Sequence, residues 1–213
     1  MTIDANDQEK KEKERQAGER RFQDGLEAYN DGKLEKATEA FGDAEIRFRL
    51  ISDFKRAGDS RTLIAEVQRE NNSLELAINS YRRAQNFYRD ADQPLLEASS
   101  SVSMGHAERQ LIHLDRAQDA YQAAQQIYRA YNNAQGLGAV ELALGHVELQ
   151  RGNTAYATEH YQDAIRSFHA AHDTINEADA SRSLADIQRM ARHFDEALTA
   201  YHQALDIYRA ALD

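Results

Sequence analysis

Cysteine and tryptophan are absent from the 213 residues, and proline occurs once. Without cysteine there is neither a disulfide framework nor a thiolate zinc site, and the composition fits a reducing compartment. A single proline leaves long helices uninterrupted, and the lack of tryptophan argues against a sheet-rich design. Positive charge is also in short supply, with a net balance of −10. Nucleic-acid binding needs a basic surface to neutralise phosphates, so no nucleic acid is expected as a partner. The first twenty-one residues carry six acids and six bases, so the whole deficit falls on the remainder. No apolar run approaches membrane-spanning length; Leu137 to Leu149 is interrupted by Glu141, His146 and Glu148. The N-terminus shows no apolar core flanked by a cleavage site, so it does not read as a signal peptide. The expectation is a soluble, cytoplasmic chain without membrane insertion.

What the chain has is a period. Phe41, Tyr81, Tyr121, Tyr161 and Tyr201 stand forty residues apart without insertion or deletion. An alanine precedes each by four positions (Ala37, Ala77, Ala117, Ala157, Ala197) and another follows by three (Ala44, Ala84, Ala124, Ala164, Ala204). A second aromatic closes each set: Phe48, Tyr88, Tyr128, Phe168 and Tyr208. Spacings of four, three and four place these residues on one face of a helix. A fixed period of this size signals a stacked repeat array, in which length counts repeats instead of domains.

Each unit needs a partner helix, and a small residue marks it twelve positions before the leading alanine: Gly25, Ala65, Gly105, Gly145 and Ala185. Glycine inside a helix costs about 1 kcal/mol against alanine, so close helix–helix contact is the expected compensation. Turn signals fall between the helices at Asp31-Gly32, Asn71-Asn72-Ser73 and Arg151-Gly152-Asn153. Asp53, Asp92, Asn133 and Asp173 are expected N-caps, and Pro94 suits a first helical turn. The division is then a charged tail or helical extension over 1–13 and repeats over 14–53, 54–93, 94–133, 134–173 and 174–213. Each helix is expected to run close to twenty residues, roughly 30 Å at 1.5 Å per residue.

Met104-Gly105 and Leu144-Gly145, with Ala117-x3-Tyr121 and Ala157-x3-Tyr161, resemble the tetratricopeptide repeat. The resemblance covers 14–213. It departs from the usual pattern in a period longer than about thirty-four, no opening Trp and no closing Pro. It implies an all-α, right-handed α-solenoid of five antiparallel helix pairs. It further implies a groove lined by the first helices and a protein or peptide ligand.

The wheel of the first helix leaves a strip outside the packing positions. It carries Phe22, Leu26, Tyr29 and Asn30, then Thr62, Glu66, Arg69 and Glu70, then Val102, His106, Arg109 and Gln110. The last two sets are Leu142, His146, Leu149 and Gln150, and Arg182, Asp186, Arg189 and Met190. Candidate partner-binding residues are Tyr29, Arg69, Val102, His106, Arg109, Leu142, His146, Arg182 and Arg189. Arginines on one phase suit an acidic segment through bidentate hydrogen bonds, although Glu66 and Asp186, three residues before Arg69 and Arg189, could pair with them instead. His106 and His146 share another phase, about 8–10 Å apart for ordinary packing.

Nothing points to catalysis, a metal or a cofactor. His169 and His172 lie three apart without a further ligand, and no HExxH, P-loop or GxSxG occurs. The expected function is a non-enzymatic interaction scaffold. The alternatives are a sensor array whose ligand changes partner binding and a self-assembling module. The last is motivated by Ala197, Leu198, Ala204, Leu205, Ala211 and Leu212, which no later helix covers, leaving a homo-oligomer through this helix as one outcome.

Overall fold

The computed structural model describes residues 5–210, and among them are ten helices and no strand. They are α1 (Ala5–Asn30), α2 (Leu34–Leu50), α3 (Phe54–Glu70), α4 (Leu74–Asp90), α5 (Pro94–Gln110), α6 (Leu114–Ala130), α7 (Ala134–Gln150), α8 (Thr154–Ala170), α9 (Thr174–Met190) and α10 (Phe194–Ala210). The architecture is an all-α solenoid of helix pairs. The chain divides into two compact units, Met1–Ile112 and His113–Asp213. In the first, α1 packs on α2, α2 on α3, α3 on α4 and α4 on α5; in the second, the same succession joins α6 through α10.

From α2 onward every helix has 17 residues, three fewer than expected, because each connection takes three. The middle residue of each connection has positive φ: Gly32, Ser52, Asn72, Asp92, Ile112, Asn132, Gly152, His172 and Arg192. The next amide then reaches back five residues, as in Asp53 N to Phe48 O at 2.8 Å and Gln93 N to Tyr88 O at 2.8 Å. This is the Schellman ending, which satisfies carbonyls the helix leaves open and reverses the chain within a few residues. Two helices and two connections fill the forty-residue period.

Three of the expected N-caps form. Asp53, Asn133 and Asp173 accept from the amides of Arg56, Gly136 and Asn176 at 3.1, 2.7 and 3.2 Å. Asp92 does not. It occupies the left-handed position instead, with φ of 53°, and Gln93 is the N-cap ahead of Pro94. The helix α1 begins at Ala5, so the charged stretch up to residue 13 is continuous with the first repeat.

The alanine and aromatic ladder forms the core. Phe41, Tyr81, Tyr121 and Tyr161 are wholly buried, as are Ala37, Ala77, Ala117 and Ala157. Burying an aromatic side chain contributes roughly 1.5–3 kcal/mol, and the neighbouring alanines let the facing helix approach closely enough to cover it. Tyr201 is only half-buried, and Leu198 and Leu205 on α10 are exposed. Ala211 and Leu212 lie outside the described residues.

Candidate functional site

Close approach of the first helix to the aromatic ladder builds the candidate surface. A Cβ on Gly25 would stand 2.5 Å from Cε1 of Phe41, and one on Gly145 would collide with the Tyr161 ring. A second contact repeats one turn-pair earlier. A Cβ on Gly58 would lie 2.7 Å from Tyr88, and one on Gly138 2.7 Å from Phe168. This earlier small position, with Ala98 and Ala178 in the same register, carries a sequence signal as regular as the first.

The residue after each small position meets the edge of the ring. Glu66 Oε1 accepts from the Tyr81 hydroxyl at 2.6 Å, and Asp186 Oδ1 from Tyr201 at 2.6 Å. His146 Nδ1 lies 2.8 Å from the Tyr161 hydroxyl. In the first repeat the ring is Phe41, which has no hydroxyl, and the register holds Leu26, packed against the same apolar cluster. The earlier contact shows the same pairing in three repeats. Asp59 accepts from Tyr88 at 3.1 Å and Asp179 from Tyr208 at 2.6 Å, whereas Ala139 stands where the ring is Phe168. Glu19, beside Phe48, is the exception and pairs with Arg56 instead. A buried phenol without a partner costs about 1–3 kcal/mol, so polar acceptors appear where the hydroxyl does.

Burial, with these bonds, raises the Tyr81, Tyr88 and Tyr208 pKa values. Burial and the Glu66 carboxylate lift Tyr81 well above the usual phenol range, and burial does the same to Tyr88. Tyr29 is pushed up to about 12, first by its hydrogen bond to Glu70 and then by burial. That bond joins the last turns of α1 and α3, so these two first helices meet along the predicted strip.

The strip residues fall in both units. Tyr29, Arg69, Val102, His106 and Arg109 belong to the first, and Leu142, His146, Arg182 and Arg189 to the second. Val102 and His106 are half-buried on α5. Leu142 packs against the clusters around Tyr161 and Phe168. Its apolar side chain therefore serves the core. Arg69 donates to Glu66 Oε2 from Nε at 3.0 Å and from Nη2 at 2.6 Å, so its carboxylate partner is saturated. That bond is the main reason the Arg69 pKa rises.

Aspartate handles the same task less fully. Asp186 Oδ1, already holding Tyr201, is 3.6 Å from Arg189 Nη2. Asp179 Oδ1, holding Tyr208, is 3.5 Å from Arg182 Nη2. Both distances exceed a good hydrogen bond. Arg182 and Arg189 are seven residues apart on α9, side chains 56% and 57% exposed. Seven residues are two helical turns, so both guanidinium groups project from one face, about 10.5 Å apart along the axis. Arg109 has His106 where the others have an acid, and its Nε is buried without a hydrogen-bond partner.

No cluster of three or more His, Asp or Glu side chains able to hold a metal occurs among the described residues. His169 lies 3.3 Å from Glu177. No described helix is long and apolar enough to cross a membrane.

The helix pairs, their small-residue contacts and the aromatic ladder define a protein of the tetratricopeptide-repeat type. The tetratricopeptide-repeat family model matches residues 136–210. The model of the soluble NSF attachment protein family, SNAP, matches residues 2–130, more than half of the chain, and the chain belongs to that family. No curated protein matches the sequence. Among solved structures, the apo form of RapI superimposes with a TM-score of 0.79 at 13% identity, covering 91% of this chain and 71% of that one. The Rap conjugation gene regulator of plasmid pLS20, solved with the Phr* peptide, gives 0.70 at 18% identity, covering 91% and 53%. Aspartyl phosphate phosphatase F from Bacillus subtilis gives 0.71 at 12% identity, covering 91% and 60%. The chain thus spans little more than half the length of the last two, and likeness at these identities is likeness of fold.

Proposed function

We propose that the chain is a non-enzymatic interaction scaffold that binds an acidic peptide or protein segment along its first helices. The observation that carries this reading is the pair Arg182 and Arg189. Each shares its aspartate with a tyrosine hydroxyl and keeps an exposed guanidinium beyond good hydrogen-bond distance of that aspartate, with the Tyr201 hydroxyl as a further partner of Arg189. Two such forks on one helix face suit carboxylates spaced along an extended or helical segment, because guanidinium and carboxylate pair bidentately. Two features support the reading: a protein of the same fold is solved with a peptide, and the family is one of attachment proteins. The phosphatase name of another relative in fold belongs to that protein; no constellation on the first-helix strip here resembles a nucleophile with its base.

The test is binding of peptides of graded Asp and Glu content to the wild type and to the Arg182→Gln/Arg189→Gln variant. Arg129→Gln, an exposed arginine on α6, is the control. The expected result is saturable, salt-sensitive binding of acidic peptides that weakens about tenfold or more in the double variant, the loss of one to two charge-assisted hydrogen bonds. Equal affinity in the double variant, or no preference for acidic peptides, would overturn the proposal.

One observation favours self-association as a second reading. Phe194, Leu198 and Leu205 on α10 are 61%, 54% and 42% exposed. Sedimentation across a concentration series, repeated with Leu205→Glu, decides it: a concentration-independent monomer removes this reading.

A further inference from the structure

The forty-residue repeat supplies its own control for unusual side chains. One register joins each second helix to the next first helix, sixteen residues on. In α4 and α5 it is a neutral hydrogen bond, Gln85 to Ser101 at 2.9 Å. In α6 and α7 it is Gln125 to Glu141 at 2.6 Å, and in α8 and α9 it holds Ile165 and Ser181. Stacking these helices therefore needs no ion pair. Between α2 and α3 the same register carries Glu45 and Arg61.

Glu45 is only 2% exposed, yet three guanidinium groups converge on it. Arg61 Nη2 is 2.6 Å from Oε2, while Arg49 Nη1 and Arg83 Nη2 lie 3.6 and 3.7 Å from Oε1. The Arg61 contact brings the charges together without hydrogen-bond alignment. Glu45 Oε2 and Arg61 Nε are both buried with no hydrogen-bond partner. Buried polar atoms left unpaired are rare, and the Arg61 Nε donor calls for an acceptor. Burial, opposed by Glu45 and reinforced by Arg83 and Arg49, lowers the Arg61 pKa.

A cavity of about 440 Å³ opens beside this cluster, lined by Glu45, Arg49, Arg61 and Arg83 with Gln68 and Thr38. Two other acids border it. Asp43 is held by Arg21, at 3.1 Å to Nε and 2.8 Å to Nη2, and Glu39 is exposed at the rim. With Asp43 neutralised by Arg21, three arginines against Glu45 and Glu39 leave the lining with a net positive charge of one. In the other repeats the Arg83 register holds Asp43, Ala123, Asp163 and Gln203, so this third arginine is confined to this place.

The geometry points to a site for a phosphate group, free or as an ester, between α2, α3 and α4. A phosphate carries charge opposite to this net positive lining, and its oxygens offer acceptors in the fork geometry that guanidinium groups recognise bidentately. The cavity admits a group of that size and leaves room for whatever carries it. The site lies in the first unit and is independent of the α9 arginines.

Calorimetric titration with inorganic phosphate and with O-phosphoserine tests it, each at fixed ionic strength in chloride. Two variants accompany the wild type. Arg49→Gln/Arg83→Gln removes exposed side chains only. Glu45→Gln/Arg61→Ser reproduces the neutral pair that Gln85 and Ser101 form, so it preserves the packing. Saturable binding by the wild type that falls at least tenfold in Arg49→Gln/Arg83→Gln and persists in Glu45→Gln/Arg61→Ser, which leaves the net charge unchanged, is the expected result, and the tighter ligand identifies free ion or ester. No saturable binding of either ligand, or undiminished binding in the folded Arg49→Gln/Arg83→Gln variant, would overturn the site.

Discussion

The Tyr81 hydroxyl donates to Glu66 Oε1 at 2.6 Å, while the other oxygen of the same carboxylate takes both donors of Arg69. One side chain thus closes a wholly buried ring below and holds a surface cation above. Tyr81 is inaccessible, whereas the Glu66 side chain is 26% exposed. The two partners are therefore unequal when separated. Glu66→Leu strands a buried phenol and is expected to cost about 1–3 kcal/mol. Adding Tyr81→Phe should restore most of that, because Leu26 and Phe41 already form this apolar pair. Denaturant unfolding of the two single variants and the double one measures the coupling, expected at about 1 kcal/mol or more.

Glycine replacements separate contact from helix propensity. Gly42 has nothing near its missing Cβ, and Gly25 has the Phe41 ring at 2.5 Å. Gly42→Ala should stabilise by about 0.5–1 kcal/mol through helix propensity. Gly25→Ala should destabilise by about 1–3 kcal/mol, since neither ring nor helix can yield without repacking. Thermal unfolding midpoints moving in opposite directions are the expected outcome.

Ile112 holds a left-handed backbone, φ 61°, with its side chain 73% exposed. A branched Cβ crowds the following carbonyl in that region, a cost of roughly 1–2 kcal/mol that no buried contact offsets here. Ile112→Gly should raise the unfolding midpoint despite the entropy of a freer unfolded chain. An unchanged or lower midpoint would show the turn to be unstrained.

Alkaline pH should loosen the first unit. The Tyr29 pKa rises from 10.0 to about 12 on folding because its hydroxyl donates a hydrogen bond to Glu70 and burial disfavours phenolate. The folded state therefore holds this proton more tightly than the unfolded one. Its contribution is complete below about pH 10 and disappears as pH climbs toward 12. Tyr29→Phe should flatten that part of the stability profile, read by denaturant midpoints across the range.

The fold was legible because its signal is spacing. Phe41, Tyr81, Tyr121 and Tyr161 are all fully buried, as their four-three-four intervals require. Helix length was less so. The left-handed turn positions hold Ser52, Asp92, Ile112, His172 and Arg192 as readily as Gly32 and Gly152, so no residue type announces them. Glu66 and Asp186 read as solvent-facing partners of the arginines, yet they are also acceptors for buried hydroxyls. That role depends on a contact between helices fifteen residues apart in sequence. Glu45 and Arg61 carry no sequence signal for the same reason: a wheel of one helix shows a charge, and only a neighbouring helix shows it to be enclosed.

A chain of similar units can dock one unit out of step, a characteristic hazard of repeat folding. The pairs Leu26 with Phe41, Glu66 with Tyr81, His146 with Tyr161 and Asp186 with Tyr201 act against this as matched keys. A slip of forty residues that set Leu26 over Tyr81 would seal a phenol away from every acceptor, at about 1–3 kcal/mol. Chemical differences along the aromatic ladder thus give each helix an address, which the shared alanines alone could not supply.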